Sequence, residues 1–442
     1  MVIRQRLKSE IKNYMDKLII SGPSQLSGEV RVSRAKNSVL KLMAATLMAP
    51  QVVTIYEMPE LQDVKTMIKL LKNLGAKIKS TATERGIDLE IDTRKVNEYK
   101  AHYDVVKTMR ASILVLGPLL GRFGKSEVSL PGGCAIGARP IDMHLKGLEK
   151  LGAAITLEAG YVRAEAKQLK GAHVVLPFPS VGATENIMMA AVFANGETII
   201  ENAAREPEIA DLAGFMMTLF PALTISGLGT SEIHIQGISR SSIDTSKLKT
   251  YTPIGDRIEA ATYLMAAVIT NSEVKVSGID PKHIGAIIQS LEEMGQTFEL
   301  GKDFVINKKR SAPLRPTQVD TAPFPGFPTD AQAQLMAVML TAQGTSTITE
   351  HIFENRFMHV PELERMGAKV KLKGSTAVIE GGSKLKGAPV MCTDLRASAA
   401  LILAALAAEG KTEVQRVYHL DRGYEKLEHK LSQIGCAIER IK

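Results

Sequence analysis

Leu71-Lys72-Asn73-Leu74-Gly75-Ala76-Lys77-Ile78 is the stretch from which the fold can be read. Two leucines three apart lie on one face of a helix, the glycine can take the left-handed conformation that ends it, and the next apolar residue opens a strand. Related phrases stand at 148–155, 291–298, 363–370 and 431–438. A degraded copy at 216–223 has Phe220 and Pro221 in place of the glycine and its neighbour. Aligned on Gly75, Gly152, Phe220, Gly295, Gly367 and Gly435, the copies recur every 68 to 77 residues, too far apart for a solenoid repeat of about 20 to 50. The pattern predicts six copies of a small α/β module.

Each copy contains a second element, a helix of small and apolar residues at 37–48, 111–120, 184–194, 258–269, 331–341 and 397–408. Runs such as Ala399-Ala400-Leu401-Ile402-Leu403-Ala404-Ala405 are apolar around most of the helix circumference. Such helices belong in an interior, packed through alanine and covered by sheets. Polar residues gather at their starts: Lys36-Asn37, Arg110, the 180–184 stretch, Asp256-Arg257, Thr329-Asp330 and Asp394 with Arg396. One reading is ordinary capping and solvated first turns. The other is an anion site, because helix N-termini present free amides and partial positive charge. A shared fold requires a cap at each start but not an arginine. Three inward helices in each of two domains would place the site in the cleft between them.

At 442 residues and 45% hydrophobic content the chain can bury two cores, since single domains stop growing at about 250 to 300 residues. Three cysteines, Cys134, Cys392 and Cys436, argue against a disulfide scaffold and for a reducing compartment, so the expected location is cytoplasmic. The first residues carry Arg4, Arg6, Lys8 and Lys12 without the apolar run of a secretory signal, and residues 1–14 read as a loose extension before the first patterned strand. No apolar run reaches the roughly 20 residues of a membrane span. A net charge of +8 is scattered among acids, with 5% aromatics and no tryptophan, which excludes a base-stacking nucleic-acid platform and suits capture of anionic substrates. No cofactor or metal is expected: there is no His/Cys cluster at ligand spacing and no Walker or dinucleotide glycine motif.

Several segments, in order, carry a resemblance: Ala35-Lys36-Asn37, Lys107-Thr108-Met109-Arg110-Ala111-Ser112, Pro131-Gly132-Gly133-Cys134-Ala135-Ile136-Gly137-Ala138-Arg139-Pro140, Ala203-Ala204-Arg205-Glu206-Pro207-Glu208, Phe327-Pro328-Thr329-Asp330, Phe353-Glu354-Asn355-Arg356-Phe357-Met358-His359 and Asp421-Arg422-Gly423-Tyr424. From Met15 onward the chain resembles the UDP-N-acetylglucosamine 1-carboxyvinyltransferase family and, more distantly, the shikimate-pathway enolpyruvyl transferase. The resemblance implies a two-domain inside-out α/β barrel, the enolpyruvyl transferase fold, with three repeated α/β units per domain. One domain would be continuous, 36–254; the other would combine 15–35 with 255–442. The implied activity is transfer of the enolpyruvyl group of phosphoenolpyruvate to the 3-hydroxyl of UDP-N-acetylglucosamine, the first committed step of peptidoglycan precursor synthesis and hence a contribution to cell shape and division. Substrates are the only partners implied, with no nucleic acid, membrane insertion or obligate protein partner.

The resemblance also distributes roles. Cys134, between Gly132-Gly133 and Gly137, would donate the proton to C3, form a covalent adduct with phosphoenolpyruvate and be alkylated by fosfomycin; nearby Arg139 favours a reactive thiolate. The bland alternative is a buried structural cysteine. Asp330 would accept the proton of the sugar hydroxyl, or else merely cap its helix. Lys36, Arg139 and Arg422 would clamp phosphoenolpyruvate, supported by Asn37, Arg356 and Arg396, since the guanidinium fork bonds two anionic oxygens at once. The nucleotide sugar would contact Asn37, Arg110, Arg139, Pro140, Ile141, Asp142, Met143, Ser180, Val181, Gly182, Asp330, Ile352 and Phe353. The sequence departs from the family at Arg34, where glycine is usual, at Gly255, where proline is usual, at Ala260-Ala261, and at Phe178-Pro179. Arg34 falls at a domain crossing and bears on closure. Two alternatives stay open: 3-phosphoshikimate 1-carboxyvinyltransferase activity, and a catalytically weakened paralogue that binds UDP-sugar.

Overall fold

The computed structural model describes residues 16–130, 141–245 and 247–442. Two compact units result: 16–32 with 255–442, and 33–130 with 141–254. The predicted extension at 1–14 falls outside the described residues.

Five of the six aligned positions hold glycines at φ between 92° and 103°, namely Gly75, Gly152, Gly295, Gly367 and Gly435. Each follows a helix and precedes a strand, the conformation a Cβ would disfavour. The degraded copy ends differently. Its helix, Pro207–Leu219, stops at Phe220 with φ −128° and ψ 85°, so the chain leaves the helix without a left-handed turn.

Six four-stranded sheets share one pairing scheme: a parallel pair, then two antiparallel pairs. In one copy Lys249–Tyr251 runs parallel to Val52–Met58, which pairs antiparallel with Gly86–Asp92, itself antiparallel to Lys77–Thr83. Alternation of buried and exposed positions, as along Thr376–Glu380, turns one face of each sheet inward. Two sheets of the 255–442 unit borrow a strand from the other end of the sequence. Lys17–Gly22 lies between Gly410–Gln415 and Ala437–Ile441, and Gly28–Arg31 pairs parallel with Val274–Ser277.

The alanine-rich helices are buried inside the sheets. Every residue of Arg257–Ile269 is buried, as is the run from Arg396 to Leu406 within Leu395–Ala407, and these two pack against each other and against Gln332–Met339. In the other unit the inner helices are Lys36–Ala45, Leu116–Phe123 and Val181–Ala191. The segment predicted as a single helix at 111–120 is instead a 3-10 turn, Arg110–Val115, followed by the helix Leu116–Phe123. Pro118 explains the break: lacking an N–H, it fits only the first turn of a newly started helix. Each unit has its own apolar core.

Candidate active site

Three acidic residues begin the inner helices of the 255–442 unit, and their side chains do different work. Asp256 caps its helix, accepting from the amides of Ile258 at 2.9 Å and Glu259 at 3.0 Å. Asp394 does the same for Arg396 and Ala397 at 2.8 and 3.1 Å. Asp330 makes no such cap; it sits in the 3-10 turn Thr329–Ala331 ahead of Gln332–Met339. Its carboxylate accepts instead from Arg356 Nη2 at 2.6 Å and Arg396 Nη2 at 3.1 Å. Both guanidinium groups are nearly inaccessible, at 3% and 4%, while Asp330 remains 26% exposed. A carboxylate held between two buried cations is kept as the ion, the form that can accept a proton. Arg356 Nε and Arg396 Nη1 are buried and have no hydrogen-bond partner among the described residues. Such donors are costly to leave unmet and suit an anionic ligand.

A second network steadies these groups. The buried Tyr424 hydroxyl is 2.9 Å from Thr262 Oγ1 and accepts from Gln334 Nε2 at 3.2 Å, and the same amide donates to the Asp330 carbonyl at 3.0 Å. Arg396 lies over the Tyr424 ring at 5.5 Å. Thr262, Gln334 and Arg396 belong to three different inner helices, so one phenol ties them together two residues beyond Arg422. That arginine ends the 3-10 helix Val417–Arg422, half-buried, and lowers the pKa of His419, whose burial is the larger cause. Ile352 and Phe353 lie half-buried in the loop before Arg356, with Phe353 beneath its guanidinium at 5.7 Å.

In the 33–254 unit, Lys36 and Asn37 begin the helix Lys36–Ala45, and Lys36 Nζ pairs with the buried Asp63 at 2.9 Å. One turn on, Lys41 donates to the Asn37 carbonyl and lies 3.2 Å from Glu185 Oε1. Glu185 is wholly buried, and neither of its oxygens has a hydrogen-bond partner among the described residues, Lys41 meeting it as an ion pair. Burial drives its pKa up to about 7 against the pull of Lys41, and Glu208 and Glu206 push it the same way. Glu185 belongs to the helix Val181–Ala191, which Ser180 caps by accepting from the Ala183 amide. Val181 and Gly182 form its first turn. A Cβ on Gly182 would come 3.0 Å from the ring of His144, so glycine admits that imidazole. Asn186 Oδ1 accepts from the Gly117 amide at 2.8 Å, which turns its nitrogen to His144 Nδ1 at 3.0 Å. Burial, aided by the cationic Arg110, lowers the His144 pKa to about 4. Ile141, Asp142 and Met143 begin the neighbouring helix, Asp142–Lys150, with Asp142 exposed.

Cys134, Arg139 and Pro140 fall outside the described residues. Arg34 pairs with Glu57 through Nε at 2.9 Å and through Nη2, an ion pair inside the 33–254 unit. A Cβ on Gly255 would lie 1.9 Å from the Gly278 carbonyl oxygen, so glycine is sterically required there. Pattern reading missed Asp63, Lys41, Glu185 and the Thr262–Gln334–Tyr424 network. Their signal was polarity at helix positions that otherwise face an apolar core. Among the described residues no group of three or more His, Cys, Asp or Glu side chains could hold a metal ion, and no helix is long and apolar enough to cross a membrane.

A family model described as EPSP synthase (3-phosphoshikimate 1-carboxyvinyltransferase) matches residues 20–431. The UDP-N-acetylglucosamine 1-carboxyvinyltransferase of Geotalea daltonii is 51% identical over 427 residues, covering 97% of this chain and 100% of that relative. The protein of the same name from Lawsonia intracellularis is 52% identical, with coverage of 96% and 99%. Among solved structures, the enolpyruvyl transferase NikO from Streptomyces tendae aligns with a TM-score of 0.85 at 25% identity, covering 96% of this chain and 99% of its own. EPSP synthase from Acinetobacter baumannii shares the fold at a TM-score of 0.72 and 18% identity, with coverage of 97% and 100%.

Proposed function

The chain belongs to the UDP-N-acetylglucosamine 1-carboxyvinyltransferase family of enolpyruvyl transferases, and on that footing we propose that it moves the enolpyruvyl group of phosphoenolpyruvate onto the 3-hydroxyl of UDP-N-acetylglucosamine. The sugar oxygen bonds to C2 of phosphoenolpyruvate while C3 takes a proton, giving a tetrahedral phosphate ketal. Loss of a proton from C3 with cleavage of the C2–O bond then restores the double bond and releases phosphate. The product feeds peptidoglycan precursor synthesis, work of a cytoplasmic enzyme.

One observation carries the assignment of the base: Asp330 is the helix-start aspartate that does not cap its helix but rests between two buried guanidinium groups. Held as the ion, it accepts the proton of the 3-hydroxyl. The unmet N–H groups on Arg356 and Arg396 suit the phosphate and carboxylate of phosphoenolpyruvate, with Lys36, Asn37, Arg139 and Arg422 as further clamps. Cys134 supplies the proton to C3. Arg110, Arg139, Pro140, Ile141, Asp142, Met143, Ser180, Val181, Gly182, Ile352 and Phe353 receive the nucleotide sugar.

The distinguishing assay measures phosphate released from phosphoenolpyruvate with either UDP-N-acetylglucosamine or shikimate 3-phosphate as acceptor. Identity of about half the residues over nearly the full length favours the first acceptor. Release with shikimate 3-phosphate alone, or with neither, would overturn the proposal. Fosfomycin should add its mass to the peptide bearing Cys134 when UDP-N-acetylglucosamine is present.

A further inference from the structure

Glu350 is a buried acid, 4% exposed, immediately after the strand Thr345–Thr349. Its Oε1 accepts from Thr321 Oγ1 at 2.9 Å and from the amides of Ile352 and Phe353 at 2.7 and 3.1 Å. Its Oε2 accepts from Thr329 Oγ1 at 2.9 Å. Four donors thus converge on one carboxyl group, and none is a charged side chain. An acceptor-only group with two oxygens can satisfy all four together, which no hydroxyl can do.

What these donors belong to gives the arrangement its meaning. Thr329 precedes Asp330 and opens the 3-10 turn that presents it. Ile352 and Phe353 lead into Arg356, the guanidinium that meets Asp330 at 2.6 Å. The Asp330 turn and the loop bringing its arginine are therefore fastened to a single carboxyl group, itself anchored to Thr321 at the end of the strand Gln318–Asp320, which runs parallel to Thr345–Thr349. We propose that Glu350 is a positioning residue for the transfer reaction, setting the aim of Asp330 through Thr329 and that of the acceptor-contacting loop through two backbone amides. The proposal rests on Asp330 as the proton acceptor. A small misplacement of such a group costs rate far more than it costs binding.

The test compares steady-state phosphate release by the parent, T329V, T329S, T321V and D330N. T329V removes only the hydroxyl that joins Glu350 to the Asp330 turn. The expected result is a fall in kcat on the order of tenfold with KM for phosphoenolpyruvate within about twofold, while T329S, which keeps the hydroxyl, stays near the parent. T321V takes a donor from the same carboxyl group and also strips the His351 amide of its 2.9 Å acceptor. It should therefore lower the melting temperature more than T329V yet slow turnover less. A purely structural role predicts the reverse order in kcat, following stability. Parent-like kcat in T329V, or equal kcat losses in T329V and T321V, overturns the inference while leaving the function intact. Full activity in D330N removes the footing itself, and that outcome is recognised from D330N alone.

Discussion

Replacing Glu185 by glutamine should stabilise the protein, and only above a definite pH. In the folded state burial holds the Glu185 carboxyl protonated up to about 7, whereas the ordinary value is 4.5. Between those values the folded chain binds a proton that the unfolded chain has released, so stability falls as pH rises through the window. Below pH 4.5 both states are protonated and the contribution vanishes; above pH 7 the whole cost is present. At 1.36 kcal/mol per unit, the span amounts to about 3 kcal/mol for this fully buried group. Glutamine imitates the protonated acid in shape and charge, and leaves Lys41 with the same neutral neighbour and the Asn37 carbonyl. E185Q should thus match the parent near pH 4.5 and exceed it by about 3 kcal/mol at pH 8. The assay is urea denaturation of both proteins at half-unit steps from pH 4.5 to 8, plotted as the difference in unfolding free energy. The difference is the proper readout, because the buried histidines tilt the parent's own curve the other way. A difference that stays flat across the series would refute the reasoning, since it would mean that Glu185 titrates alike in both states.

Removing the carboxylate in D330A leaves two buried guanidinium groups facing one another, and should cost about 3–5 kcal/mol in denaturation besides abolishing turnover. For His144 the sign is opposite to that of Glu185: its folded pKa of about 4 lies below the ordinary 6.5, so stability is intact above pH 6.5 and is lost as pH falls toward 4. H144Q should flatten acid unfolding by about 3 kcal/mol across that window, seen as a lowered pH midpoint relative to its own neutral-pH stability. G255A forces a methyl against the Gly278 carbonyl and should destabilise the protein by about 1–3 kcal/mol in thermal melts.

The repeated architecture was readable because it rests on local chemistry. Left-handed glycines and alanine-rich runs mark themselves in the chain, and all five glycine stops have the backbone angle their sequence requires. The site was harder. Asp256, Asp330 and Asp394 look alike in sequence, each a good capping residue before a helix, and only tertiary placement of Arg356 and Arg396 separates the role of Asp330 from that of the other two. Tyr424 acts through Thr262 and Gln334, and Glu350 and Lys41 add to near neighbours the distant partners Thr321, Thr329 and Glu185, which no local pattern encodes. Arg34, read as a bulky intruder at a domain crossing, has a carboxylate partner in Glu57.

The two borrowed strands bear on how the protein is made. By the time Tyr251 has left the ribosome, the strands of the 33–254 sheets have all been synthesised. The other unit is in the contrary position: Lys17–Gly22, among the earliest segments to emerge, takes its two neighbours from Gly410–Gln415 and Ala437–Ile441, among the latest. At about 5–20 residues per second, that strand waits tens of seconds with both edges open. During synthesis it is therefore the nascent chain's standing invitation to wrong pairing.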